Sequence, residues 1–288
     1  MTIAKILAPL TGSPADEIVL SVAYALARPQ DAYVDAAFVF PDPREAIPVT
    51  EMPMSPEIYQ QIVDAAEKAR KRASKSAREA FSVRAAACNA KIVSAPEKHS
   101  GIITTYREVP GHLEEVLREA ALFADVVVFP PLAGDEFRET HDALIAVLMK
   151  SDRPVVLCPR HAPGSVGQSV LIGWDGGVAA AQALNAAMPI LEKAGSVRFA
   201  CVRPDNDSSR PLKDAKEYLA LHGIDAGETL IPKPRLSIAH ELLETAQKNK
   251  CDLLVAGGYG HSRILETIFG GTTDTLLSHS HVPLFLAH

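Results

Sequence analysis

The chain has 288 residues, 47% of them hydrophobic and 22% charged, which is ordinary for a soluble globular protein of about two domains. Disordered, collagenous and coiled-coil classes are excluded, and no run of about 18 apolar residues marks a membrane span. The net charge of −6 repels phosphate backbones, so nucleic acid is a poor default partner.

The opening Met1-Thr2-Ile3-Ala4-Lys5-Ile6-Leu7 lacks a charged leader, a long apolar core and a small-residue cleavage site, which predicts a cytoplasmic protein. Ile6-Leu7-Ala8-Pro9-Leu10-Thr11-Gly12 then reads as a strand breaking into a small-residue turn, followed by a helical stripe of Ile18, Val19, Val22 and Leu26. From Pro41 to Asn89 a Pro-rich loop leads into an Ala-rich helix. That helix carries Lys68, Arg70, Lys71, Arg72, Lys75 and Arg78. With Glu67 and Glu79 interleaved and no aromatics near, the basic run reads as a solvated helix face. A helix through Leu113, Val116, Leu117 and Ala120 feeds the strand Asp125–Phe129, and Pro154-Val155-Val156-Leu157-Cys158 closes the first half.

After a Pro/Gly-containing linker at 160–168 the same order begins again. Val170-Leu171-Ile172-Gly173-Trp174-Asp175-Gly176 repeats the strand and turn. Ala180, Ala183, Leu184, Ala187 and Leu191 repeat the helix, with Pro189 expected to kink its end. Leu242, Leu243 and Ala246 lead to Asp252–Ala256, and Pro283–Ala287 closes the second half. The chain is a tandem duplication, divided here into residues 1–160 and 167–288. Short, wholly apolar strands alternating with amphipathic helices predict that each half is a doubly wound α/β domain with a mainly parallel sheet.

In such a sheet ligands bind beyond the carboxyl ends of the strands, where strand order reverses. In the second half Trp174-Asp175-Gly176-Gly177 and the loop after Ala256 meet there if the half's first and fourth strands are neighbours. That loop runs from Gly257 to Thr273, with glycines at both ends and a helix predicted from Thr272 to Ser280. Glycine permits close backbone approach and a helix N-terminus offers unpaired N–H groups, the requirements of a phosphate site. Glycines after strands also simply turn the chain, and composition does not separate the two readings. A Walker loop and a G-x-G-x-x-G fingerprint are both missing from the sequence.

The spacing G-x-x-G, nine residues, then G followed by a hydroxyl residue resembles the ATP-binding motif of the universal stress protein (UspA-like) family, here Gly257, Gly260 and Gly270. Gly271 stands where the family has Ser or Thr, and Thr272 and Thr273 follow. The resemblance extends to the strand-turn-helix openings and the Pro-led closing strands of both halves. It implies Rossmann-like, HUP-type domains of five strands packed as an intrachain version of the family's homodimer, with room for further homodimerisation. It also implies ATP (or ADP or AMP) with Mg2+. Asp175 would meet the adenosine portion and Val202 would line the adenine pocket. Gly257, Gly260, Gly270, Gly271 and Thr273, with Thr272 beside them, would cradle ribose and phosphates. Arg263 adds charge near the outer phosphates or is an exposed surface arginine.

The first half lacks this apparatus. Its loop begins Pro130-Pro131, Thr11 stands at the place of Asp175, and His141-Asp142-Ala143 fall at the distance of Gly270-Gly271-Thr272 from the closing strand. One nucleotide site per chain is therefore expected, in the second half. His279, His281 and His288 read as surface histidines, so no metal centre is expected. The scattered Cys88, Cys158, Cys201 and Cys251 form neither a disulfide frame nor a zinc site. With no catalytic constellation, the functional expectation is a stress-response sensor or regulator that binds an adenine nucleotide and at most hydrolyses it slowly. The rivals are an interaction module with a vestigial pocket, which needs a protein partner, and an enzyme of the wider adenine-nucleotide hydrolase group.

Overall fold

A computed structural model describes residues 2–48, 55–132, 137–202, 210–231, 237–258 and 272–288. The first half contains β1 (Lys5–Leu10), α1 (Asp16–Ala27), β2 (Tyr33–Phe40), α2 (Pro56–Ala87), β3 (Lys91–Ile92), β4 (Ile103–Pro110), α3 (Leu113–Ala121), β5 (Val126–Phe129), α4 (Phe137–Lys150) and β6 (Val155–Leu157). The second contains β7 (Ser169–Trp174), α5 (Val178–Leu191), β8 (Ser196–Val202), α6 (Arg210–Leu221), β9 (Ala226–Ile231), α7 (Ile238–Lys248), β10 (Leu253–Gly257), α8 (Thr272–His279) and β11 (Leu284–Ala287).

All described strands join one sheet in the order β3-β4-β2-β1-β5-β6-β11-β10-β7-β8-β9. Taking each half alone, the order is third-second-first-fourth-fifth, that of a doubly wound α/β domain. The first half adds the two-residue edge strand β3, so five strands describe the second half and six the first. Pairing is parallel throughout except at β6–β11, where Leu284 faces Leu157 and Leu286 faces Val155. There the two halves become one sheet.

The strands are apolar on both sides because both sides are covered. Along β1, Ile6, Ala8 and Leu10 join a core under α1, α2, α5 and α6. Leu7 points the other way, into a core under α3, α4, α7 and α8. The duplication extends to strand entry. Asp125 Oδ2 accepts from the amides of Ala4 and Lys5 at 2.8 and 2.9 Å, and Asp252 accepts from those of Ser169 and Gln168 at 2.8 and 3.2 Å. The helix α5 runs on through Pro189 for its last turn, and the Pro189 carbonyl accepts from Gln30 Nε2 of the first half at 2.6 Å.

The helix α2, at 32 residues, buries only Ala77, Phe81 and Ala85. It is held across the ends of β2 and β4 by its basic side chains. Arg78 and Ser74 reach Glu108 at 3.0 and 2.8 Å, Arg70 lies over the Phe40 ring and Arg78 over Tyr106, and Arg84 pairs with Glu17. Three of the arginines in and near the basic run thus have intramolecular partners. Lys71 and Lys75 stay exposed, on i,i+4 pairs with Glu67 and Glu79.

Tyr24 is fully buried under α2, its hydroxyl donating to Thr104 Oγ1 at 3.2 Å. Burial pushes its pKa up to about 12. Below pH 10 the phenol is neutral in folded and unfolded chains alike. Between pH 10 and about 12 only the unfolded chain releases the proton, so stability falls as pH rises. Tyr24 alone accounts for about 1.4 kcal/mol of loss at pH 11. Urea denaturation at pH 9 and pH 11 should show Tyr24→Phe losing correspondingly less than wild type, with the residual slope coming from Tyr33, Tyr106 and the thiols of Cys158, Cys201 and Cys251, which burial also raises. Equal losses in both proteins would refute the assignment.

Candidate functional site

The strand order makes β7 and β10 neighbours, with Leu253 opposite Val170 and Val255 opposite Ile172. Their carboxyl ends, Trp174 and Gly257, therefore lie side by side at the point where strand order reverses. After β7 the chain turns through Gly176, whose φ of +78° is left-handed and suits glycine. Asp175 is exposed, and its Oδ1 accepts from the Gly177 amide at 2.8 Å. The helix α5 then starts with Gly177 as N-cap, no side-chain cap and no acid in its first turn. Its positive dipole end faces the switch point, with the Asp175 carboxylate on its N-cap amide as the acid at that end.

Gly257 is bare for a steric reason. A Cβ there would stand 2.6 Å from the carbonyl carbon of Ala179 and 2.8 Å from the Ala180 nitrogen. Only glycine lets the end of β10 approach the first turn of α5 this closely. Thr272 is the exposed first residue of α8 and Thr273 the second; Val202 ends β8 opposite Ile231 of β9. Gly260, Arg263, Gly270 and Gly271 lie outside the described residues.

At the equivalent turn of the first half, Gly12 has nearly the same φ, +82°. The surroundings differ. Asp16, 2% exposed, accepts from the amides of Thr11 and Gly12 at 3.0 and 2.9 Å. A carboxylate of the chain itself therefore takes the donors that such a turn would offer an anion. Aligning Thr11-Gly12 with Asp175-Gly176 sets Asp16 opposite Ala180, which has no carboxylate. The helix α2 also closes the turn from outside, since a Cβ on Gly12 would lie 2.5 Å from the Ala73 carbonyl oxygen. His141, Asp142 and Ala143, expected as a loop counterpart, lie within α4. That helix starts eight residues after β5 ends, whereas α8 starts fifteen after β10 ends.

Trp174, which the sequence places in the turn segment at the switch point, packs edge-on to Phe199 with ring centres 5.6 Å apart, and its indole N–H is buried without a partner among the described residues. Asp16 was legible only by setting the two turns in register. Thiol chemistry is unsupported: burial raises the pKa of Cys158 and Cys251, and pushes Cys201 up to about 11. Among the described residues no three His, Cys, Asp or Glu side chains converge as a metal site, and no helix is long and apolar enough to cross a membrane.

Residues 235–288 match the sequence profile of the universal stress protein family. A universal stress protein from Archaeoglobus fulgidus DSM 4304 superposes with a TM-score of 0.66 at 16% identity, covering 98% of this chain and 97% of its own. By fold, the chain is similar to a tandem universal stress protein along its whole length, and residues 235–288 carry the family's sequence pattern. A functionally unknown protein from Pseudomonas aeruginosa PAO1 shares the architecture, with a TM-score of 0.56 at 13% identity over 99% of this chain and 92% of its own. A universal stress protein solved in complex with cAMP aligns with 42% of this chain and 97% of its own at 21% identity and a TM-score of 0.35. No curated protein sequence matches the chain. The family match falls on α7, β10, α8 and β11, the elements that bring the glycine loop to the switch point.

Proposed function

We propose that the chain binds ATP or a related adenine nucleotide, with Mg2+, at the carboxyl ends of β7 and β10, and acts in the cytoplasm as a stress-response regulator. The binding unit is residues 167–288. Residues 1–160 form a second universal stress protein domain without a working site. The observation that carries this reading is the asymmetry of the two turns. The buried Asp16 and α2 occupy the first, while the second has Ala180 in place of that carboxylate and its own acid, Asp175, exposed at the N-cap of α5.

In this reading Asp175 meets the ribose of the adenosine portion and Val202 lines the adenine pocket. Gly257, Gly260, Gly270, Gly271, Thr272 and Thr273 offer amides and hydroxyls to ribose and phosphates, and Arg263 adds charge near the outer phosphates. Binding favours one arrangement of residues 257–273 and so changes the surface presented to a regulatory protein, through differential affinity for two states. No general base is assigned in this reading, and any hydrolysis is slow.

Trp174 is the sole tryptophan and ends the strand beside Asp175, so its fluorescence tests the proposal. Titration with Mg-ATP should change the emission saturably, and Asp175→Ala should weaken the apparent affinity about tenfold, the loss of one charge-assisted hydrogen bond. Unchanged emission at millimolar nucleotide, with no heat of binding, would favour the interaction module with a vestigial pocket.

A further inference from the structure

The sequence sets His279 beside His281; the fold sets it against His240 instead. His240 stands in the first turn of α7 and His279 ends α8, both exposed, with ring centres 5.9 Å apart and planes at 43°. Each Nδ1 is already engaged. That of His279 lies 3.2 Å from the Thr275 carbonyl, which can only accept, so Nδ1 carries the proton and Nε2 presents its lone pair. That of His240 lies 2.8 Å from Ser237 Oγ, the N-cap hydroxyl of α7. Neither Nε2 has a partner among the described residues.

An imidazole held at Nδ1 by an oxygen and free at Nε2 is the arrangement of a metal-ligating histidine with its supporting shell. The spacing is close. With Nε2 about 2.1 Å from an ion, each ring centre lies about 3.2 Å from it, so two such rings have centres about 5.2 Å apart at a tetrahedral angle, and the 5.9 Å between these exposed rings closes to that with a shift of under about 1 Å. We infer that His240 and His279 bind one divalent transition ion of the Zn2+, Cu2+ or Ni2+ class, with water in the remaining positions, and that the ion ties α8 to α7. Imidazole suits these ions, whereas Mg2+ and Ca2+ demand oxygen ligands. The site is separate from the proposed nucleotide site: His279 is at the far end of α8 from Thr272.

The test is calorimetric titration of the chelator-treated, nucleotide-free full chain with ZnCl2 at neutral pH. One ion per chain is expected. His240→Ala and His279→Ala should each weaken it at least about tenfold, the double variant should lose the site altogether, and His281→Ala should match wild type. Both substitutions are on exposed positions, and circular dichroism checks that the variants stay folded. Absence of zinc binding, a single variant of wild-type affinity, a double variant that binds as tightly as a single one, or the same loss in His281→Ala would overturn the assignment.

Discussion

Phe285→Ala should destabilise the protein by about 3–5 kcal/mol, the cost of emptying a fully buried aromatic site that cannot collapse. Phe285 is 0% exposed on β11. In register it faces Val156 of β6 on one side and Val255 of β10 on the other, so one ring packs at the joint between the two halves. A cavity there weakens both at once. Thermal unfolding should remain a single transition and drop by roughly 5–15 °C. A loss below about 1 kcal/mol, or a split into two transitions in wild type, would mean that β6–β11 does not couple the halves.

Gly257→Ala should cost about 1–3 kcal/mol by overpacking and weaken nucleotide binding at least about tenfold. The added methyl would press on the backbone of Ala179 and Ala180, so the start of α5 must shift, and with it the turn that holds Asp175. Gly258→Ala is the internal control. Its methyl would meet the Leu148 Cδ2 tip at 2.9 Å, the far end of a flexible side chain, which can move aside at small cost. Denaturant unfolding and calorimetry on both variants should therefore rank Gly257→Ala well below Gly258→Ala in both stability and affinity. Equal effects would contradict the close approach of β10 to α5.

The doubling of the fold was legible because it is written in local patterns: the apolar runs of β1 and β7, the aspartates that precede β5 and β10, the proline-led β6 and β11. The position of Asp175 and Gly257 at one switch point followed from strand order, which doubly wound sheets share. Other features depend on distance through space and left no local trace. The contact of Ala73 with Gly12 joins residues far apart in sequence, and the pairing of His240 with His279 needs α7 to lie on α8. Counting back from the closing strand sets Ala143 against Thr272, and α4 and α8 do end equally far before β6 and β11, but α4 begins earlier after its strand than α8 does, so His141-Asp142-Ala143 lie inside a helix. A difference between the two turns was legible in Pro130-Pro131 and Thr11, yet the parts that close the first turn, Asp16 and α2, emerge only from packing.

Calorimetric titration of nucleotide-stripped protein with Mg-ATP, in wild type, Asp175→Ala, Gly270→Val and Asp16→Ala, decides whether one adenine nucleotide binds per chain, in the second half. Saturable binding at one site per chain is expected, weakened about tenfold in Asp175→Ala, lost in Gly270→Val, and kept at one site in Asp16→Ala, since α2 still covers that turn. Two sites per chain, or binding that survives Gly270→Val and disappears with Asp16→Ala, would place the nucleotide in the first half and contradict this expectation.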